Sequence, residues 1–155
     1  MALRFKVEGK DEVVRDIRKV FNKLHDLRPL FESLASDFYK TEKNMIFRSG
    51  QNVNGPGKYE DLRPRTKVLK MQSIGRIYPI LDWTGRLKKS LSDRGSKDNI
   101  TTITKRKMTL GTKVPYAKNL FRGTKRMVAR PPIIMELLEP RFTRTINTYF
   151  SDVVK

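Results

Sequence analysis

Cysteine is absent from this 155-residue chain, and histidine occurs once, at His25. The first absence excludes disulfide scaffolds, thiolate catalysis and zinc ribbons, and it is compatible with a reducing cytoplasm. The second leaves no room for a histidine-rich metal site. No apolar run exceeds a few residues, so no segment reads as a membrane-spanning helix. The first ten residues carry Arg4, Lys6, Glu8 and Lys10 without an apolar run, which is not a signal-peptide pattern. Negative charge is also scarce: 16 Asp and Glu face 34 Lys and Arg, for a formal net charge of +18.

That charge is uneven. Residues 1–50 hold 11 basic and 8 acidic side chains, a net of +3, whereas residues 51–155 hold 23 and 8, a net of +15. Residues 84–130 alone carry 14 against 2. Such a field attracts polyanions, whether nucleic acid, acidic protein surfaces or lipid head groups. A basic surface without a special partner is the simpler alternative.

The length suits one domain, residues 1–155, able to bury a core without metal or crosslinks. Residues 3–8 alternate apolar and charged side chains and predict a strand. Asp11 can cap a helix to about His25, on which Val13, Val14, Ile17, Val20, Phe21 and Leu24 form an apolar stripe. Pro29 separates it from a second helical stripe, Leu30 to about Phe47, as one bent helix or a pair. Residues 49–64 are turn-rich and predict a flexible loop, and residues 66–72 predict a short helix. Thr84 is placed to cap a helix carrying Leu87 and Leu91. Residues 99–111 predict a β-hairpin, and residues 116–121 a short helix ending at Gly123. Residues 127–134 predict an edge strand or extended arm, limited by Pro131 and Pro132. Pro140 is placed to open a last helix with Phe142, Ile146, Tyr149, Phe150 and Val153 on one face. The sum is an α+β fold: a small antiparallel β-sheet packed by long N-terminal and C-terminal helices.

Constellations that could carry chemistry are few. A Ser-His-Asp arrangement must use His25, which sits on a helix beside a core stripe. Glu60, Asp61 and Asp82 form an imaginable acid/base set, but Arg63, Arg65 or Arg86 are close enough in sequence to pair with them. Gly50, Gly55 and Gly57 follow no strand, so a nucleotide cradle is not expected there. No enzymatic role, cofactor site or metal site is expected. Nucleic-acid binding has more support. Lys105, Arg106, Lys107, Lys125, Arg126 and Arg130 are clustered cations, and Tyr59, Tyr78, Trp83, Tyr116 and Phe121 interleave with basic residues. Stacking plus phosphate contact binds single strands; the alternative is that these aromatics plug the core.

Four segments occur in order: Lys58-Tyr59-Glu60-Asp61-Leu62-Arg63-Pro64-Arg65-Thr66, the run Ile80 to Leu91 with Asp82-Trp83-Thr84-Gly85-Arg86-Leu87 at its centre, Leu110-Gly111-Thr112-Lys113-Val114-Pro115-Tyr116-Ala117, and Ala129-Arg130-Pro131-Pro132. This order resembles the phage virion morphogenesis family, which includes tail-completion proteins, and the wider group of head–tail joining proteins. The likeness covers roughly residues 47–140 and rests on Leu62, Thr66, Thr84, Gly85, Leu87, Gly111, Tyr116, Ala117, Arg130 and Pro131. Tyr59 stands where the family pattern usually has Trp, and Pro132 where Phe is common. The resemblance implies a structural subunit of the virion, assembled in the host cytoplasm and located in the tail or neck. It implies a homo-oligomeric ring, six-fold in the family, at the head-proximal end of the tail. Its partners would be connector or neck proteins, tail tube or sheath proteins, and the passing genomic DNA through non-specific phosphate contact. No membrane partner is implied. A free basic DNA- or RNA-binding protein is the alternative.

Overall fold

The amphipathic stretch after Gly9 becomes helix α1 (Lys10–His25) in a computed structural model that describes residues 10–47 and 59–154. The expected strand at residues 3–8 lies outside the described residues. Asp26 then turns the chain: its carboxylate accepts the Arg28 backbone N–H at 3.1 Å and grips the Arg28 guanidinium. Helix α2 (Arg28–Thr41) follows with Pro29 in its first turn, where the missing N–H has no helical partner to lose. So the two stripes are two helices. Leu30, Leu34, Ala35 and Phe38 bury one face of α2. A single π-helical turn (Glu42–Ile46) continues it.

Pro64 starts helix α3 (Pro64–Ile74), earlier and longer than the predicted helix; the predicted 49–64 loop therefore ends at Arg63, and its residues 49–58 lie outside the described residues. Gly75, with φ at 67°, ends the helix in the left-handed region. Residues 76–85 are irregular and include a cis Tyr78–Pro79 peptide bond. Helix α4 (Arg86–Ser92) begins after Gly85, not after a Thr84 cap. Gly85 adopts φ 76° and its carbonyl accepts Lys89 N–H at 2.8 Å, while Thr84 Oγ1 stands 3.5 Å from the Arg86 nitrogen. The turn is made by backbone freedom instead of a side-chain cap.

The predicted hairpin is present. Strands β1 (Asn99–Ile103) and β2 (Met108–Thr112) pair antiparallel, from Asn99↔Thr112 to Ile103↔Met108. The Lys107 N–H donates to Thr104 Oγ1 and closes the loop. Ser90 Oγ of α4 meets Thr112 Oγ1 at 2.7 Å, and Asn99 Nδ2 donates to the Ser90 carbonyl at 2.8 Å. Tyr39 of α2 reaches Asn99 and Thr101. Helices α4 and α2 thus cover the hairpin.

Helix α5 (Ala117–Arg122) follows, one residue later than predicted. The predicted strand at 127–134 is not formed. An isolated bridge, Thr124↔Met127, closes the turn holding Lys125 and Arg126, and the rest of that arm is irregular. Two prolines deny it a ladder, and side-chain donors anchor it instead. Helix α6 (Met135–Val154) starts five residues before Pro140, which lies inside it and is exposed. It packs chiefly on α2, with Thr145 Oγ1 donating to Asp37, and reaches the hairpin through α2. The architecture is α+β.

The core joins Phe38, Ile46, Phe47, Tyr59, Leu87, Leu91 and Leu138 from distant elements. The α1 stripe is not part of it. Val13, Ile17, Phe21 and Leu24 are between 51% and 66% exposed, although α1 touches α6. There Lys23 donates to the Tyr149 carbonyl at 3.3 Å and lies over the Tyr149 ring.

Candidate functional site

The four sequence segments meet at one groove of about 480 Å³. Glu60 to Arg63 and Thr66 of α3 form one wall. The turn from Ile80 to Gly85, with Leu87, forms the floor and its end. Tyr116 and Leu120 bound it at α5, and Arg126 to Arg130 close the far side. The lining is mainly apolar, in the size range of ligand and anchor pockets. Of the family-pattern residues, Leu62, Thr66, Thr84, Gly85, Leu87, Tyr116 and Arg130 line it. Gly111 lies in β2, Ala117 is buried in the core, and Pro131 sits just behind the wall as an acceptor.

Two clamps hold the groove's walls together. The Arg130 guanidinium donates from Nε to the Glu60 carbonyl at 3.0 Å and from Nη2 to the Asp61 carbonyl at 3.1 Å. The Tyr59 hydroxyl donates to the Pro131 carbonyl at 2.5 Å. The planar Arg fork thus satisfies two adjacent backbone acceptors that no strand pairs. Arg130, expected as a DNA-lumen or partner contact, is 8% exposed and serves here as an internal brace. Tyr59 is likewise buried, and burial pushes its phenol above the ordinary value.

A third brace supports the floor. Lys70 of α3 is fully buried, and its Nζ donates to the carbonyls of Pro79 at 2.5 Å and Ile80 at 3.3 Å. Burial lowers its pKa, with the nearby Asp82 opposing. Nothing in the sequence pattern singled out Lys70; a lone lysine on a weakly amphipathic helix carries no signal of burial.

The remaining predicted residues are spread. Lys105, Arg106 and Lys107 are exposed at the hairpin turn, where the Lys105 carbonyl accepts Leu27 N–H at 3.0 Å. Lys125 and Arg126 are exposed in the turn beside the groove. Trp83 and Tyr116 are each 41% exposed on the groove, so they are not core plugs; Phe121 is also exposed, Tyr78 is half-buried, and only Tyr59 is buried. Of the three acids Asp61 and Asp82 are paired, but not as the sequence suggested. Asp61 binds Lys67 at 2.5 Å and accepts from the Tyr78 hydroxyl, and Lys67 holds its pKa below the ordinary value. Buried Asp82 accepts from Arg76 at 2.9 Å, while Arg86 grips Asp98 with two bonds. His25 stacks on Phe21 on α1.

No family model, curated protein or solved structure matches this chain. The groove therefore has to be read from its own chemistry. Among the described residues no set of His, Asp and Glu side chains is grouped as a metal would require. What the site offers is an aliphatic floor, two half-open aromatics, and two arginines. Arg63 and Arg126 are exposed and form no ion pair among the described residues, unlike Arg76, Arg86 and Arg94.

A separate buried group sequence reasoning missed is Glu42, in the π-helical turn. It is fully buried, and neither carboxyl oxygen has a hydrogen-bond partner among the described residues; Thr41 Oγ1 is in the same position. Burial raises the Glu42 pKa to about 8. At neutral pH it is mostly the neutral acid.

Proposed function

We propose that this chain is a non-enzymatic structural subunit of a phage virion, joining a ring at the head-proximal end of the tail and linking tail to head connector. The observation that carries the reading is the convergence of four separated sequence segments on one groove, braced by Arg130, Tyr59 and Lys70. A fold that spends buried cations on holding a partly apolar groove open is building a surface for contact. The charge fits the same role. Lys105, Arg106, Lys107 and Lys125 project from turns and need not disturb the core to meet a phosphate backbone or acidic neighbours.

The test is genetic. Particles assembled without this chain should accumulate as separate heads and tails, or as tails of abnormal length, by electron microscopy. Normal joined virions in its absence would overturn the proposal. The rival, a free nucleic-acid-binding protein, draws on the same exposed cations. It requires the isolated chain to be retained on DNA at physiological salt, with retention falling steeply as salt rises.

A further inference from the structure

We infer that the groove docks an extended segment of a partner protein, in which one or two aliphatic or phenyl anchors are followed by acidic side chains. The floor argues for the anchor. Leu62, Ile80, Leu81 and Leu120 line it, and Leu87, at 1% exposure, seals its end. Trp83 and Tyr116 stand beside that floor with 41% of their surfaces open. Amphipathic aromatics in this position are what protein contact surfaces enrich.

The rim argues for the acids. Around the groove Arg76 is engaged with Asp82, Arg86 with Asp98, and Arg130 with two carbonyls. Arg63 and Arg126 are left without a carboxylate among the described residues, although acids lie nearby in the chain. Asp61 is already neutralised by Lys67. Two unpaired guanidiniums bordering an apolar floor complement an acidic, apolar-anchored peptide, and their fork favours bidentate carboxylates.

Two other occupants fit less well. A nucleic-acid strand would gain stacking from Trp83 and Tyr116, but the aliphatic floor offers bases no π-face. A second copy of this chain would bring a net +18 body against a basic rim. This contact deepens the joining role proposed above, and it rests on that reading only for the partner's place in a virion. It is measured on the purified chain, so its outcome is separate from that of the particle experiment.

Trp83 is the sole tryptophan and lines the groove, so its fluorescence reports occupancy directly. The probe is a set of hexapeptides carrying Leu, Ile or Phe at the second and third positions and Asp or Glu at the last three. The controls are the same set with Lys for the acids, the set with Ala for the anchors, and a twelve-nucleotide oligothymidylate. The acidic, anchored set should shift Trp83 emission saturably, at least tenfold more tightly than either peptide control. Arg63→Glu combined with Arg126→Glu should weaken it a further tenfold while leaving circular dichroism and Tm unchanged. Equal binding of the lysine set, no saturable response to any peptide at millimolar concentration, or displacement of the acidic set by oligothymidylate would each overturn the inference. Self-association that blocks the Trp83 response would do the same in favour of a second copy.

Discussion

Glu42→Gln should stabilise the protein, and by an amount that depends on pH in a specified way. The Glu42 carboxyl has an ordinary value of 4.5 and is pushed up to about 8 by burial. Below pH 4.5 it is protonated in both the folded and unfolded chain and contributes no pH dependence. Between 4.5 and about 8 the unfolded chain releases its proton while the folded chain keeps it, so stability falls as pH rises. Above about 8 both states are ionised and the slope vanishes. At about 1.4 kcal/mol for each pH unit, the loss reaches about 3 kcal/mol by pH 7 and about 5 kcal/mol in full. Glutamine keeps the shape and cannot ionise. Urea unfolding followed by Trp83 fluorescence should therefore give nearly equal stabilities for the two proteins at pH 5. The variant should lead by several kcal/mol at pH 8.5. The exposed and surface-paired carboxylates titrate in both proteins and cancel in the difference. If the two stability curves run parallel from pH 5 to pH 8.5, the buried carboxyl is not paying the ionisation cost assigned to it, and the reasoning fails.

Arg130→Ala should remove the brace on the Glu60 and Asp61 carbonyls and cost about 2–4 kcal/mol, read by denaturation, with a shift in Trp83 emission as the groove loosens. Leu91→Ala, at a site with no exposure, should cost about 2–5 kcal/mol and lower Tm without moving Trp83 emission. Gly123→Ala should destabilise by about 1–3 kcal/mol, because φ is 71° and the new Cβ would stand 2.9 Å from the Ala129 nitrogen and the Met127 carbonyl oxygen. Ile17→Ser combined with Phe21→Ser, by contrast, should change unfolding free energy by less than about 1 kcal/mol, since both side chains are mostly exposed; a loss of several kcal/mol would mean that α1 is covered in solution.

What the sequence revealed was periodicity. The alternation along residues 99–111 located the hairpin, in which Leu110 stands opposite Thr101 and packs on the core, and the spacing of Leu30, Leu34 and Phe38 located α2, whose stripe is buried. The same signal misled at α1: Val13, Ile17 and Phe21 are as periodic as a core stripe, but periodicity says that a face is apolar and not what covers it. Local rules also gave way where a second device was available. Thr84 yielded to Gly85, whose left-handed backbone makes the turn alone, and Pro140 did not open α6 because a helix can lose one exposed hydrogen bond when its buried face is strong. The groove's four segments were legible as motifs, yet their meeting was not. It depends on Arg130, Tyr59 and Lys70 bonding to carbonyls, and a backbone acceptor has no letter in a sequence.

Those carbonyl bonds also set an order in time. Tyr59 is bound to Pro131, and Arg130 to Glu60 and Asp61, across about seventy intervening residues. The hairpin and α4, by contrast, are local and complete by residue 112. On a ribosome, the hairpin can close while the wall of the groove still has no partner, and that wall is sealed only after residue 131 has left the exit tunnel. The groove wall is thus closed later than the hairpin, once Arg130 and Pro131 are present to bind it.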